Sequence, residues 1–165
     1  MSSADRQPRL LILWHSRTGA SAAMAGAAAE GAGEAAWLVA ADDAQPEMLL
    51  AADGYLFCCP ENLGSMSGTM KEMFDCAYYP VLGRIEGRPY ATLIAAGSDG
   101  EGAQRQIDRI VTGWRLKRVA EPLIVGLGAQ SPEAIAAPKQ VPEQALAACR
   151  ELGAALAEGL RLGVF

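Results

Sequence analysis

The sequence predicts a three-layer α/β fold, an open parallel five-stranded sheet with helices on both faces. Three observations predict it. Strand-like and helix-like segments alternate along the whole chain, which is the pattern of parallel strands joined by crossover helices. The segment GYLFCC, residues 54–59, is an unbroken apolar run of the kind buried on both faces. The loops after the first, third and fourth strands are the most polar and glycine-rich. Ligands of such sheets bind beyond the carboxyl ends of the strands, so these loops converge on one site.

The elements follow in order. The first strand, residues 9–14, runs into the turn HSRTGAS and an alanine-rich helix at 21–31. AWLVA at 36–40 is a weaker second strand, followed by a short helix at about 46–52. GAGEAA at 31–36 imitates a dinucleotide fingerprint, but it follows a helix and precedes a strand, so it reads as a helix stop. The third strand, 54–59, leads into a polar loop at 60–67 and a helix at about 68–78. There Met70, Met73, Phe74, Ala77 and Tyr78 fall at helical spacing, Thr69 with Glu72 forms a capping-box pattern, and Pro80 is the expected stop. YATLIAA at 90–96 is the fourth strand and ends in GSDGEG. The next helix carries Ala103, Ile107, Ile110, Val111 and Trp114 on one face, and residues 122–125 anchor the fifth strand. After a loop at 126–141, Pro142 opens a last helix with Leu146, Cys149, Leu152, Leu156 and Leu160 facing inward.

Composition excludes several classes. With 165 residues, 51% of them hydrophobic, residues 9–165 are expected to form a single domain, with residues 1–8 a disordered or extended N-terminus. A net charge of −5 argues against a nucleic-acid surface. The apolar runs stop short of membrane-spanning length. Residues 1–9 lack the apolar stretch of a secretory signal, so a cytoplasmic address is expected. The four cysteines, Cys58, Cys59, Cys76 and Cys149, are expected to be small buried hydrophobes. One histidine and no C-x-x-C pair argue against a zinc site, and no metal is expected.

The turn after the first strand carries the chemistry. Ser16, Thr18 and Ser21 supply hydroxyls, Gly19 lets the backbone approach closely, and Arg17 adds positive charge at a helix N-terminus. A nucleotide triphosphatase loop would need a lysine there. The lysines are Lys71, Lys117 and Lys139, none of them in that loop. Gly97, Gly100 and Gly102 follow a strand without the fingerprint spacing, and suit either a loop hugging a flat ligand or a mobile turn. His15 could sense phosphate charge or make a structural hydrogen bond. Glu61 could be a general acid or an acceptor of backbone N–H groups. The Tyr78–Tyr79–Pro80 cluster suits a subunit interface, a substrate pocket or core packing.

HSRTGAS after the first strand, with PENLGSMSGTMKEMFD after the third and GSDGEG after the fourth, resembles the flavodoxin-like FMN-binding family. The likeness is to its NAD(P)H-dependent reductase branch, which includes FMN reductases and quinone reductases of the Trp-repressor-binding-protein type, and it spans residues 9–160. The resemblance implies a flavodoxin-like fold with strand order 2-1-3-4-5. It implies FMN as cofactor and NAD(P)H as co-substrate. Ser16, Arg17, Thr18, Gly19, Ala20 and Ser21 would wrap the FMN phosphate. Pro60, Glu61, Asn62, Leu63, Gly64 and Ser65 would lie along the isoalloxazine, and Gly97, Ser98, Asp99, Gly100 and Gly102 would close its other side. Ala20 stands where relatives often have a polar residue, and Leu63 where an aromatic is common. The implied reaction is two-electron transfer from NAD(P)H through FMN to a quinone or similar small-molecule acceptor. A homo-oligomer, dimer or tetramer, is also implied. No catalytic side chain is nominated, because the cofactor carries the hard chemistry.

Electron-carrier flavodoxins, the alternative, cover the flavin with loop aromatics. Residues 60–67 and 97–102 contain no Phe, Tyr or Trp, so one open flavin face is expected unless Trp37, Tyr78 or Tyr79 folds over it.

Overall fold

The computed structural model describes residues 6–165. Of the N-terminus expected at 1–8, residues 1–5 lie outside the described residues. Residues 6–8 form no helix or strand, and Arg6 pairs with Asp53 at 2.9 Å.

The strands are β1 (Leu10–Trp14), β2 (Ala36–Ala40), β3 (Gly54–Asn62), β4 (Ser65–Met66), β5 (Pro89–Ala96), β6 (Lys117–Arg118) and β7 (Leu123–Gly126). Parallel pairing gives the order β2-β1-β3-β5, with β6 and β7 both running along the outer edge of β5. The five strands expected from the sequence therefore stand in the order 2-1-3-4-5, the fifth divided into two pieces. Pro122, which has no N–H to give to a ladder, immediately precedes the second piece.

The helices are α1 (Ala20–Ala32), α2 (Pro46–Ala51), α3 (Gly68–Val81), α4 (Glu101–Gly113), α5 (Pro132–Ala136) and α6 (Glu143–Leu162). Alternation of side chains along the strands sends Leu11, Leu13, Tyr55 and Phe57 to a core shared with α3 and α4. Leu10, Ile12, Leu56 and Cys58 face the opposite core, against α1 and α6. Here α1 presents mostly alanines, and two glycines let the helices touch backbone to backbone. A Cβ at Gly31 would overlap the carbonyl of Arg150, and one at Gly153 the carbonyl of Ala28.

Four details correct the sequence reading. Residues 60–67 do not form an open loop: β3 continues to Asn62 and pairs antiparallel with β4, Glu61 opposite Met66 and Asn62 opposite Ser65. The two-residue turn Leu63–Gly64 has positive φ at both positions, 53° and 73°, as the hairpin turns that match strand twist require. Second, α3 continues one residue past Pro80. In a last turn the ring removes only its own N–H bond, and Leu82 N–H still bonds the Tyr78 carbonyl at 3.0 Å. Third, no Thr69–Glu72 capping box forms. The N-cap is Ser67, which makes no side-chain cap bond, because its hydroxyl is engaged by His15 Nδ1 at 2.8 Å. Fourth, Cys76 is exposed, whereas Cys58, Cys59 and Cys149 are buried as expected. Its position on α3 faces solvent, where its thiol donates to Glu72 Oε1 at 3.3 Å.

Candidate functional site

A cavity of about 720 Å³ opens at the carboxyl ends of β1, β3 and β5, where the topology places a ligand. Ser16, Arg17 and Thr18 line it from the first loop, Ala20 and Ser21 from the first turn of α1, Pro60 to Gly64 from the hairpin, and Gly97 and Ser98 from just after β5. Gly19, Ser65, Asp99, Gly100 and Gly102 are outside that lining. Gly19, at φ 99°, is the N-cap of α1, and its N–H donates to Ser16 Oγ at 3.1 Å. Ser65 lies on β4, the return strand of the hairpin. Asp99 is exposed, its Oδ1 reaching only the Glu101 N–H at 3.5 Å.

Gly100 and Gly102 do their work behind the wall. Gly100 is the N-cap of α4 at φ 94°, and a Cβ there would strike Ile124; one on Gly102 would overlap the Gly64 carbonyl. The hairpin is thereby seated directly on the first turn of α4. Glu61 fastens it: Oε1 accepts the Gly100 N–H at 2.9 Å and Oε2 the Ala103 N–H at 3.1 Å. A carboxylate is well matched to a helix N-terminus, whose first N–H groups lack intrahelical partners. Gln106 adds a further tie, accepting the Met66 N–H at 2.9 Å. Of the two readings open for Glu61, the structure supports the acceptor of backbone N–H groups.

His15 also has a structural bond. Its ring spans from the end of β1 to Ser67, and burial lowers its pKa from 6.5, opposed by Asp42 and assisted by Arg17. Burial raises the thiol of Cys59 to about 12 and that of Cys149 to about 11, so both are protonated packing groups rather than nucleophiles.

Sequence reasoning missed one wall of the cavity. After β7 the chain does not pass directly to the last helix. Residues 127–139, with α5 at their centre, lie across the first loop. Leu127, Ala129, Ile135, Ala136 and Lys139 line the cavity from this strap, and Ala95 and Ala96 floor it from β5. The strap is joined to the site through backbone. Lys139 N–H donates to the Thr18 carbonyl at 2.8 Å, and the Ala129 carbonyl lies where a Cβ on Gly97 would be.

The cavity has a chemical polarity. Among the described residues, two buried side-chain polar atoms have no hydrogen-bond partner, Ser21 Oγ and Asn62 Nδ2, and both residues line it. Buried polar groups are rarely left unpaired. One orphan stands in the first turn of α1 beside free N–H groups and hydroxyls, the surroundings an anion requires. The other is an amide donor on the hairpin, which lines the same cavity. An anionic tail joined to a flat ring with acceptor atoms fits this pair. Among the described residues, no aromatic lines the cavity. Tyr78 stacks on Trp114 with centroids 5.8 Å apart, Tyr79 lies against Tyr78, and Trp37 is covered by Arg9 at 4.3 Å.

Residues 40–125, more than half the chain, match the family described as NADPH-dependent FMN reductase. The chain belongs to that family. Membership assigns the chain to FMN-binding flavoproteins with a flavodoxin-like fold. A flavodoxin from Aquifex aeolicus (strain VF5) is 30% identical over 169 residues, covering 94% of this chain and 89% of the relative. Among solved structures, an archaeal flavodoxin superposes with a TM-score of 0.75 at 17% identity, over 93% of this chain and 99% of its own. A flavodoxin described as WrbA-like from Agrobacterium tumefaciens superposes with a TM-score of 0.71 at 23% identity, over 94% of this chain and 98% of its own. These two likenesses bear on the fold. Among the described residues no helix is long and apolar enough to cross a membrane.

Proposed function

We propose that this member of the NADPH-dependent FMN reductase family holds FMN in the 720 Å³ cavity and passes two electrons from NAD(P)H to a quinone or similar small acceptor. The observation that carries the reading is the pair of orphaned donors, Ser21 Oγ and Asn62 Nδ2, in one cavity at the strand ends.

Residues 16–21 hold the phosphate with hydroxyls, backbone N–H groups and Arg17. The hairpin residues Pro60 to Ser65 and the segment from Gly97 to Gly102 bracket the ring, some through side chains and others through the backbone packing that sets the gap. When bound, FMN supplies the capacity to take up a hydride and release its electrons to a second molecule. The protein's contribution is to orient the ring and leave room above it. A cavity without aromatic cover leaves space for a nicotinamide or an acceptor to stack. His15 and Glu61 hold loops in place and move no proton in this scheme. Residues 9–165 act as one domain, in the cytoplasm, and the working form is a homo-oligomer.

The test has two steps. Purified protein titrated with FMN should quench its fluorescence and shift its absorbance; no change at micromolar FMN overturns the cofactor site. Anaerobic addition of NADH or NADPH to the FMN form should bleach the 450 nm band. The 30% identical relative from Aquifex aeolicus, a flavodoxin, favours a second reading, a one-electron carrier. That carrier would bind FMN yet keep its colour with either nicotinamide.

A further inference from the structure

The strap brings to the phosphate loop the lysine that the loop itself lacks. We propose that Lys139 is a fixed positive charge of the phosphate site. The inference rests on the FMN reading above and adds to it a fourth binding segment with its own electrostatic role.

Lys139 lines the same cavity as Ser16, Thr18 and Ser21. Its backbone is seated on the loop: its N–H donates to the Thr18 carbonyl at 2.8 Å, and its carbonyl stands 3.8 Å from where a Cβ on Gly19 would lie. The independent sign that an anion belongs there is Ser21 Oγ, unpartnered in a residue only 1% exposed.

The Lys139 ammonium is held by the carbonyls of Ala134 at 2.6 Å, Ile135 at 2.9 Å and Ala137 at 2.5 Å. These are the carbonyls at the end of α5, and they carry the negative ends of their peptide dipoles. Ile135 also lines the cavity, and uncompensated carbonyl dipoles beside an anion site would repel the anion. With the ammonium among them, the same wall is net positive, and three bonds keep the charge from swinging away. Arg17, the other cation lining the cavity, is exposed, so its charge is screened by water and its position costs side-chain entropy to fix. Lys139 is ordered before the ligand arrives.

The test compares FMN with riboflavin, which has the same ring and no phosphate, by fluorescence titration of the wild type, Lys139→Met and Lys139→Gln. Methionine keeps the length without charge, and glutamine retains two donors for the carbonyls. Both variants should lose tenfold or more in FMN affinity and under threefold in riboflavin affinity, and the salt dependence of FMN binding should flatten. FMN affinity within twofold of wild type overturns the proposal. So does an equal loss for both ligands, which would make Lys139 only a fastener of the strap. If Lys139→Met does not fold, Lys139→Gln decides. A wild type that binds FMN places any failure on Lys139 alone; one that binds neither ligand overturns the cofactor reading and this inference with it.

Discussion

Replacing Glu61 with alanine removes the carboxylate that joins the hairpin to α4. Two backbone donors lose their acceptor, Gly100 N–H at 2.9 Å and Ala103 N–H at 3.1 Å. Hydrogen bonds to a charged group contribute about 1.5–3 kcal/mol each. Glu61 is half-buried, so water reaches part of the vacated space, and the expected loss is about 2–3 kcal/mol for the pair, near the upper range for a lost helix cap. Glu61→Gln keeps one carbonyl oxygen for one of the two donors but turns an NH2 group toward the other, and should fall between alanine and wild type. Urea denaturation of the apoprotein measures the loss, with an unchanged m-value confirming that only stability moved. Amide exchange should accelerate at Gly100 and Ala103 before it does in the buried strand β5. The reasoning is refuted if Glu61→Ala stays within about 0.5 kcal/mol of wild type, the range of an ordinary surface change, with exchange at those two amides unaltered.

Two further perturbations have signs set by the structure. Ser21→Ala deletes a buried hydroxyl that has no partner, so apoprotein stability should hold or rise by up to about 1 kcal/mol. FMN affinity should fall about tenfold, the worth of one hydrogen bond; a parallel loss of both quantities in urea and FMN titrations would contradict the role given to Ser21. For His15, burial holds the folded-state pKa below 6.5. Between the folded and unfolded pKa values the unfolded chain binds more protons, so this contribution to stability is present above pH 6.5 and is lost as pH falls through the folded value. His15→Gln should remove that slope, which cannot exceed about 1.4 kcal/mol per pH unit. Denaturation midpoints from pH 5 to 7.5 in both proteins provide the check, and identical slopes would refute it.

The sheet was legible because β1, β3 and β5 are buried on both faces, and LLILW, LFCC and YATLIAA can be little else. The turn after β1 was legible as part of a ligand cavity for a different reason: hydroxyls and a glycine between a strand and a helix mark a place where backbone N–H groups are left free. Other parts left no such mark. A two-residue hairpin turn is usually signalled by Asn-Gly or Asp-Gly; Leu63 gives no warning, and its left-handed φ of 53° is imposed by the pairing on either side and by the seat on α4. The strap was hidden because its contacts with the site run through the Lys139 N–H and the Ala129 carbonyl, groups every residue possesses. Lys139 was set aside as absent from the first loop, and only the fold returns it there. Cys76 was misplaced because the burial usual for its residue type was set above its position, which lies off the stripe of Met70, Met73, Phe74 and Ala77.

The glycine contacts between α1 and α6 reach further than packing. Gly31 lies eleven residues along α1 from Ala20, about 16 Å at 1.5 Å per residue, and a helix of that length transmits a displacement almost as a rigid shaft. One end of the shaft carries Ala20 and Ser21, which line the cavity, and the other is keyed into the backbone of α6 at Arg150. A single added methyl at Gly31 would therefore tilt or slide the distant end without altering any residue that lines the cavity. Gly31→Ala should thus weaken FMN binding from the far side of the molecule, at a position that a survey confined to the cavity-lining loops would pass over.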